Sequence, residues 1–256
     1  MSAVSTLWNK HMTQLMVHKE EAIGILFQPI LWVVLFGTGM KSVIGAAMPG
    51  EDNFYISFMV PGIIALTAMS GAISGGLVLL QERILGIVKE YFVAPISRMS
   101  VLMANALSTV TKSLIQALII IAVGALMGAQ FSSNLLGWLG GVLLIGGFGL
   151  GFAGIGLAVA SKTNSPGGYH MLIFMLTLPL LFVSNSLYPL ASLPTWMRVV
   201  AQGNPMSYVV DGLRQTIFQS STTGSDFALW LCFLVVALFA MFSMLLAYFS
   251  FKKSMK

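Results

Sequence analysis

Six apolar stretches alternate with short polar ones along the chain: Ala22 to Met40, Tyr55 to Leu80, Ser113 to Phe131, Leu135 to Ala160, Gly168 to Tyr188 and Phe227 to Phe251. Each reaches or approaches the roughly 20 residues that carry a helix across a bilayer core about 30 Å thick. The pattern predicts an all-α integral membrane protein with six transmembrane helices and no separate soluble domain, read as one transmembrane domain over 1–256. Alternate polar segments divide the basic residues unequally. One set holds Lys10, Lys19, Arg83, Lys89, Arg98, Lys162, Lys252, Lys253 and Lys256, and the other only Lys41, Arg198 and Arg214. Basic residues accumulate on the cytoplasmic side, so both termini are expected inside.

Three polar-to-apolar transitions predict more than plain loops. In Gln81 to Arg98, Ile84, Ile87, Val88 and Tyr91 fall at i, i+3, i+4, i+7, with Glu82, Arg83, Lys89 and Glu90 elsewhere on the wheel. That spacing predicts a short cytosolic helix with one face to bury, stopped by Pro95, after which Ser97 or Ser100 caps the next helix. Within residues 1–21, Val4, Leu7, Trp8, Met12 and Leu15 share a face opposite Asn9, Lys10 and Gln14, the pattern of a helix lying along the inner membrane surface. The segment Pro189 to Ser225 is too apolar for a solvated loop, and Pro189, Pro194 and Pro205 cut it into pieces; Val209, Val210, Leu213 and Ile217 form a stripe, and Asp211 and Arg214 stand three apart. Broken half-helices at the outer face are expected, either capping a translocation path or resting on the outer leaflet.

Composition agrees with membrane residence: 57% of residues are hydrophobic and 8% charged, with mean hydropathy +0.90, against roughly 25% charged in soluble domains. The net charge of +5 follows from the basic asymmetry and anionic lipid, so no nucleic-acid partner is expected. Cys232 is the single cysteine, which leaves no internal disulfide. The fourth stretch is dense in glycine, with Gly137 and Gly141, and Gly147 and Gly151, at small-xxx-small spacing; the second carries Gly71 and Gly75. These predict close helix packing within the chain rather than a subunit contact.

The missing chemistry narrows function further. The six stretches contain no Asp or Glu, and none occurs between Glu90 and Asp211. Intramembrane carboxylates are the usual carriers of proton or sodium coupling, so a secondary transporter is disfavoured. His11, His18 and His170 stand in no metal or catalytic spacing, and His170, beside Tyr169, is expected to be structural. Gly37 to Ser42 has a passing likeness to a phosphate loop but lacks its spacing. No metal, bound cofactor or catalytic residue is expected. Lys112 is expected to open the third span and snorkel its ammonium to headgroups.

Six spans with no energy source and a docking helix after the second imply a powering partner, and at this point the residues resemble a known family. Val60-Pro61-Gly62, Glu82-Arg83 with Gly86, Ala94-Pro95-Ile96-Ser97-Arg98, Leu187-Tyr188-Pro189-Leu190 before Leu193-Pro194, and Asn204-Pro205-Met206-Ser207-Tyr208 running to Asp211-Gly212-Leu213-Arg214 are, in this order, similar to the membrane permease of type-2 ABC exporters. The resemblance covers nearly the whole chain. It implies a permease dimer, either a homodimer or a homologous heterodimer, bound to two copies of a separate ATPase that holds the ATP and Mg. It further implies a multi-pass protein of a bacterial or archaeal cytoplasmic membrane.

On the resemblance, Glu82, Arg83, Gly86, Glu90 and Arg98 lie at or near the ATPase contact, with Ile87, Val88 and Tyr91 as its apolar face. In family members the first, second and fifth spans approach the dimer axis. This places Thr67, Met69, Ser70 and Ser74, with Thr177, Phe182, Asn185 and Tyr188, on a possible transport path. A lipophilic drug or lipid is the expected cargo, with the daunorubicin-resistance type as nearest subgroup. A polysaccharide or lipid-linked glycan permease, and a channel or scaffold outside the family, are the alternatives.

Overall fold

In the computed structural model of the chain, residues 3–17, 23, 27, 29–35, 37–39, 54–87, 98–218 and 225–254 are described. Among them the fold is helical, with no strand beyond an isolated bridge between Phe131 and Phe218. The elements are α1 (Ala3–Val17), α2 (Pro29–Gly39), α3 (Phe54–Ile84), α4 (Arg98–Leu126), α5 (Leu135–Lys162), α6 (Pro166–Phe182), a 3-10 turn (Leu190–Ser192), α7 (Thr195–Gln202), α8 (Pro205–Thr216) and α9 (Leu229–Ser254). Four described helices, α3, α4, α5 and α9, are long and apolar enough to cross a membrane, and α2 and α6 are shorter apolar helices.

Helix α3 is the centre of the bundle, packed on α4, α5, α6 and α8. Its most apolar window is 72% buried, against 17% for α9, which leaves Trp230, Leu234, Leu238, Met241, Leu245 and Phe249 outward. An apolar exterior of that kind suits lipid. Glycines set how closely the helices approach. A Cβ on Gly71 would collide with Gln116, one on Gly75 with Thr109 and Asn105, and one on Gly151 with the Phe239 ring. Gly137 and Gly141 of α5 admit Thr216 and Ile217 from α8 and the residue after it. These glycines of α3 and α5 therefore serve packing inside the chain, as their spacing predicts.

Helix α4 departs from expectation. The apolar pattern begins the third span at Ser113, whereas the helix starts fifteen residues earlier, at Arg98. Asn105, Thr109, Ser113 and Gln116 are 4% exposed or less and face the glycine stripe of α3. Asn105 Nδ2 donates to the Gly75 carbonyl at 3.1 Å and Ser113 Oγ to the Ala68 carbonyl at 3.1 Å. Polar side chains with partners on a neighbouring helix hold such pairs together, so the hydropathy dip lies inside the helix. Lys112 therefore stands in mid-helix, close enough to His11 to act on its charge, and does not open the span.

Helix α6 departs in the other direction. The apolar run reaches Tyr188, but the helix ends at Phe182, where Val183 N donates to the carbonyl of Pro179, a proline inside the last turn. Ser184 Oγ then bonds the Leu181 carbonyl and Ser186 Oγ, both at 2.7 Å. Such local side-chain bonds compete with helix continuation. Ser184, Asn185 and Ser186 are buried, which is the condition for non-helical backbone in a membrane protein.

At Gly154 the space is bounded by backbone: an added Cβ would lie 2.5 Å from the Ser243 carbonyl carbon and 2.8 Å from Met244 N. At Gly146 it would meet only a Val110 methyl at 3.7 Å. Gly154→Ala is expected to destabilise the protein by about 1–3 kcal/mol, and Gly146→Ala to be neutral or stabilising by up to about 1 kcal/mol. Thermal unfolding of the purified variants in detergent checks the contrast; equal midpoints would refute it.

Candidate functional site

Three places collect the functionally suspect residues: the N-terminal face where α1 meets α3 and α4, a cavity beside α3, and a buried polar knot under the half-helices.

At the first, the run from Gln81 is not a free loop. Gln81 to Ile84 form the last turn of α3, and the chain turns at Gly86, whose φ of +81° is left-handed. Glycine is the residue that takes this conformation at a helix end without strain. Glu82 points inward, 6% exposed, and accepts from Lys10 Nζ of α1 at 2.7 Å. Arg83 reaches the C-terminus of α5, donating to the Ser161 and Thr163 carbonyls and, at 2.8 Å, to Asn164 Oδ1. The helix continues through these charged residues because each finds a partner. Ile84 and Leu85 are exposed on this face and Ile87 is half-buried. Val88, Glu90 and Tyr91 lie outside the described residues, as does the side chain of Arg98.

The docked face of α1 is the predicted Val4, Leu7 and Trp8 with His11 added; Met12 is half-buried and the side chain of Leu15 lies outside the described residues. Leu7 joins Leu79, Leu102, Leu157 and Phe251 in a small core, and Trp8 Nε1 donates to Thr111 Oγ1 at 3.2 Å. Burial holds the His11 imidazole below its usual range, with Glu82 pulling against it and Lys10 and Lys112 pushing the same way as burial.

The cavity has a volume of about 330 Å³. Helix α2 gives it Pro29 and Trp32; α3 gives Leu66, Thr67, Ser70, Gly71 and Ser74; α4 gives Gln116; α6 gives Phe174, Thr177, Leu178 and Leu181. Thr67, Ser70, Ser74 and Thr177, singled out in the sequence, thus come together. Four others do not line it. Met69 lies in the core, Phe182 is exposed, Tyr188 Oη donates to the Phe182 carbonyl at 3.0 Å, and Asn185 belongs to the polar knot. Gln116 lies within the predicted third stretch, where nothing in the apolar pattern marks it; its signal is its place on one helix edge with Asn105, Thr109 and Ser113, three residues beyond the last of them.

The knot centres on Arg214, 1% exposed. Its guanidinium donates to the Phe58 carbonyl at 3.1 Å and the Asn185 carbonyl at 2.6 Å, and lies 3.7 Å from the centroid of the Phe58 ring. Pro61, inside α3, has no amide hydrogen for its own turn, so Arg214 braces α3 beside its weak point. Asp211 faces the other way, accepting from Asp226 N at 3.1 Å, Phe227 N at 2.9 Å and Gln215 Nε2 at 2.9 Å, which anchors the approach to α9. Burial raises the Asp211 carboxyl and lowers Arg214 to about 10, the latter opposed by Asp211 and Asp226, so Arg214 stays charged at neutral pH. Asn204 caps α8 through Met206 N at 2.9 Å and donates to the Leu180 and Val183 carbonyls at 2.7 and 2.6 Å. Arg198 likewise secures the 3-10 turn, through the Leu190 and Ala191 carbonyls. His170 is exposed and stacks edgewise with Tyr169, away from the cavity.

Two measurements test these assignments. Arg214→Met leaves the Asn185 carbonyl without its donor and removes a second donor from the Phe58 carbonyl, and is expected to cost at least about 1–3 kcal/mol, seen as a lowered unfolding midpoint; Arg214→Lys, which cannot span both, recovers only part. For His11, the docked state favours the neutral ring, so docking of α1 is complete above the ordinary value of about 6.5 and is lost as pH falls through the lowered one. Hydrogen exchange over Ala3–Val17 should therefore rise from about pH 7.5 to about pH 5, after correction for intrinsic rates, and His11→Phe should flatten the change.

Known proteins place these features in a family. The profile of the ABC-2 type transporter family matches residues 2–218. The chain is 34% identical over 202 residues to the putative transport permease ycf38 of Cyanophora paradoxa, covering 77% of this chain and 68% of that protein. It is 26% identical over 231 residues to the daunorubicin resistance ABC transporter permease protein DrrB1 of Streptomyces coeruleorubidus, covering 88% and 78%. It is 22% identical over 170 residues to the probable multidrug ABC transporter permease YbhR of Escherichia coli K12, covering 66% and 45%. For the ycf38 permease of Porphyra purpurea the chain spans 65% of the relative's length. The matched region takes in α1, the left-handed turn after α3, the cavity helices and the half-helices α7 and α8, and on that match the chain belongs to the ABC-2 type transporter family.

Proposed function

We propose that the chain is the membrane subunit of an ATP-driven exporter and moves hydrophobic or amphipathic molecules, drug-like or lipid-like, across a cytoplasmic membrane. The observation that carries this is the cavity of about 330 Å³ in an ABC-2 chain. It falls within the range for small-molecule sites, roughly 300–1,000 Å³, and combines apolar walls with a few polar groups, as such sites do. Trp32, Leu66, Phe174, Leu178 and Leu181 supply the walls, and Thr67, Ser70, Ser74, Thr177 and Gln116 the polar points.

Power comes from a separate ATPase, two copies of which bind ATP and Mg and dock at the turn after α3 of a permease dimer. The exposed Ile84 and Leu85 and the left-handed Gly86 form the described part of that surface. Glu82 and Arg83 act behind it: through Lys10 and the Ser161 and Thr163 carbonyls they tie the turn to α1 and α5. A push on the turn then moves α1, α3 and α5 together. The subunit works as a two-state element between inward-open and outward-open arrangements, biased by nucleotide on the partner.

Purification in mild detergent is expected to bring down a stoichiometric ATPase subunit and ATP hydrolysis activity. Its absence, repeated after crosslinking, would refute the reading. Within such a complex, Ser70→Phe should fill the cavity and abolish cargo-stimulated hydrolysis while leaving the basal rate. Gly86→Ala strains the turn by about 1–2 kcal/mol and should lower coupled transport at normal membrane levels; undiminished coupling would remove the turn from the docking surface.

A further inference from the structure

Three of the hydroxyls around the cavity share a chemical bias. Thr67 Oγ1 donates to the carbonyls of Ile63 and Ile64 at 3.0 and 2.8 Å, Ser74 Oγ to Gly71 at 2.6 Å, and Thr177 Oγ1 to Phe174 at 3.4 Å. A hydroxyl has one hydrogen to give. With that hydrogen committed to their own helices, these three side chains present lone pairs to anything in the cavity.

Gln116 adds a fourth acceptor. It lines the cavity, is 4% exposed, and its Oε1 has no hydrogen-bond partner. The oxygen rests against the Cα of Gly71, itself a lining residue, where any Cβ would collide with it. A Cα–H contact suits an oxygen and is worth far less than an N–H or O–H donor. The terminal torsion of glutamine is soft, so a small rotation turns the oxygen to a ligand. No Asp, Glu, Lys, Arg or His lines the cavity among the described residues, so no described side chain there neutralises an ionic headgroup.

We infer that the cavity selects amphipathic ligands whose polar end is an uncharged hydrogen-bond donor, a hydroxyl or an amide-type N–H, and that the Gln116 oxygen is the group that reads it. The inference rests on the cavity being the cargo site. It makes α4 contribute a specificity-determining residue beside α3 and α6. A buried acceptor left unpaired when the wrong ligand binds gives discrimination that apolar walls cannot.

The test uses two fluorescent probes that differ by one methyl: N-decyl dansylamide, which has a sulfonamide N–H, and N-decyl-N-methyl dansylamide, which has none. Binding to the full-length chain in lipid nanodiscs, in the assembly in which it purifies, is read by energy transfer from tryptophan, with protein-free discs subtracted. Wild type should prefer the N–H probe by about tenfold, the worth of one hydrogen bond. Gln116→Met should abolish that preference while binding the methylated probe as wild type does, which also shows that the variant folds. Ser70→Phe should weaken both probes.

If Ser70→Phe leaves both affinities intact, the cavity is not the site and the functional reading falls with the inference. If Ser70→Phe blocks both but wild type shows no preference, or Gln116→Met keeps it or weakens both probes equally, the site stands and donor selection by Gln116 is overturned.

Discussion

A buried guanidinium governs the arrangement of the half of this molecule that carries α7 and α8. An unpaired cation in an apolar interior is too costly to persist, so Arg214 can be buried only where carbonyls converge on it. The carbonyls it uses are scarce ones: Phe58, beside a proline in α3, and Asn185, in the stretch where α6 has already come undone. The requirement is reciprocal. Without Arg214 the Asn185 carbonyl loses its donor, and without the break in α6 that carbonyl would not be free to receive the charge. Asp211, one turn earlier on α8, performs the matching service for the backbone amides leading into α9. One short helix thereby sets the relative positions of α3, α6 and α9.

The packing of α3 on α4 is held by different means. Small residues on α3 let the polar edge of α4 come close enough to bond backbone carbonyls, and those bonds keep the edge from being a liability. Gln116 sits at the end of this edge and lines the cavity together with residues of α3 and α6. The interlock that closes the helices at Gly75 thus opens into a cavity at Gly71, with its last polar member unpartnered. The Lys10–Glu82 pair and the Arg83 contacts then link α1 and α5 to the end of α3. Helix α3 runs without a break from the cavity residues to the turn at Gly86.

Much of this was legible in residue order. Proline placement in Pro189 to Ser225 foretold the short pieces, and Val209, Val210, Leu213 and Ile217 are indeed their buried stripe. Glycine spacing foretold close packing. Of the eight residues that the family resemblance places on a transport path, Thr67, Ser70, Ser74 and Thr177 line one cavity, while Met69 lies in the core and Phe182 is exposed. Asn185 and Tyr188 lie elsewhere, because the helix expected to carry them ends at Phe182 and local serine bonds turn the chain. The early start of α4 was hidden for a related reason: hydropathy scores a polar residue as though it faced solvent or lipid, and cannot see a partner on another helix.

The sequence alone determined that the chain is a helical membrane protein, that it lacks the carboxylates of a self-powered transporter, and which motifs place it with its family. These depend on composition, period and order, which are local quantities. Only the tertiary structure decided that Arg214 and Glu82 are interior, that Gly86 needs a left-handed turn, and that Gln116 belongs with Thr67 and Thr177. The energy of a buried charge or amide is set by which backbone groups reach it from distant segments, and no window along the chain contains those groups.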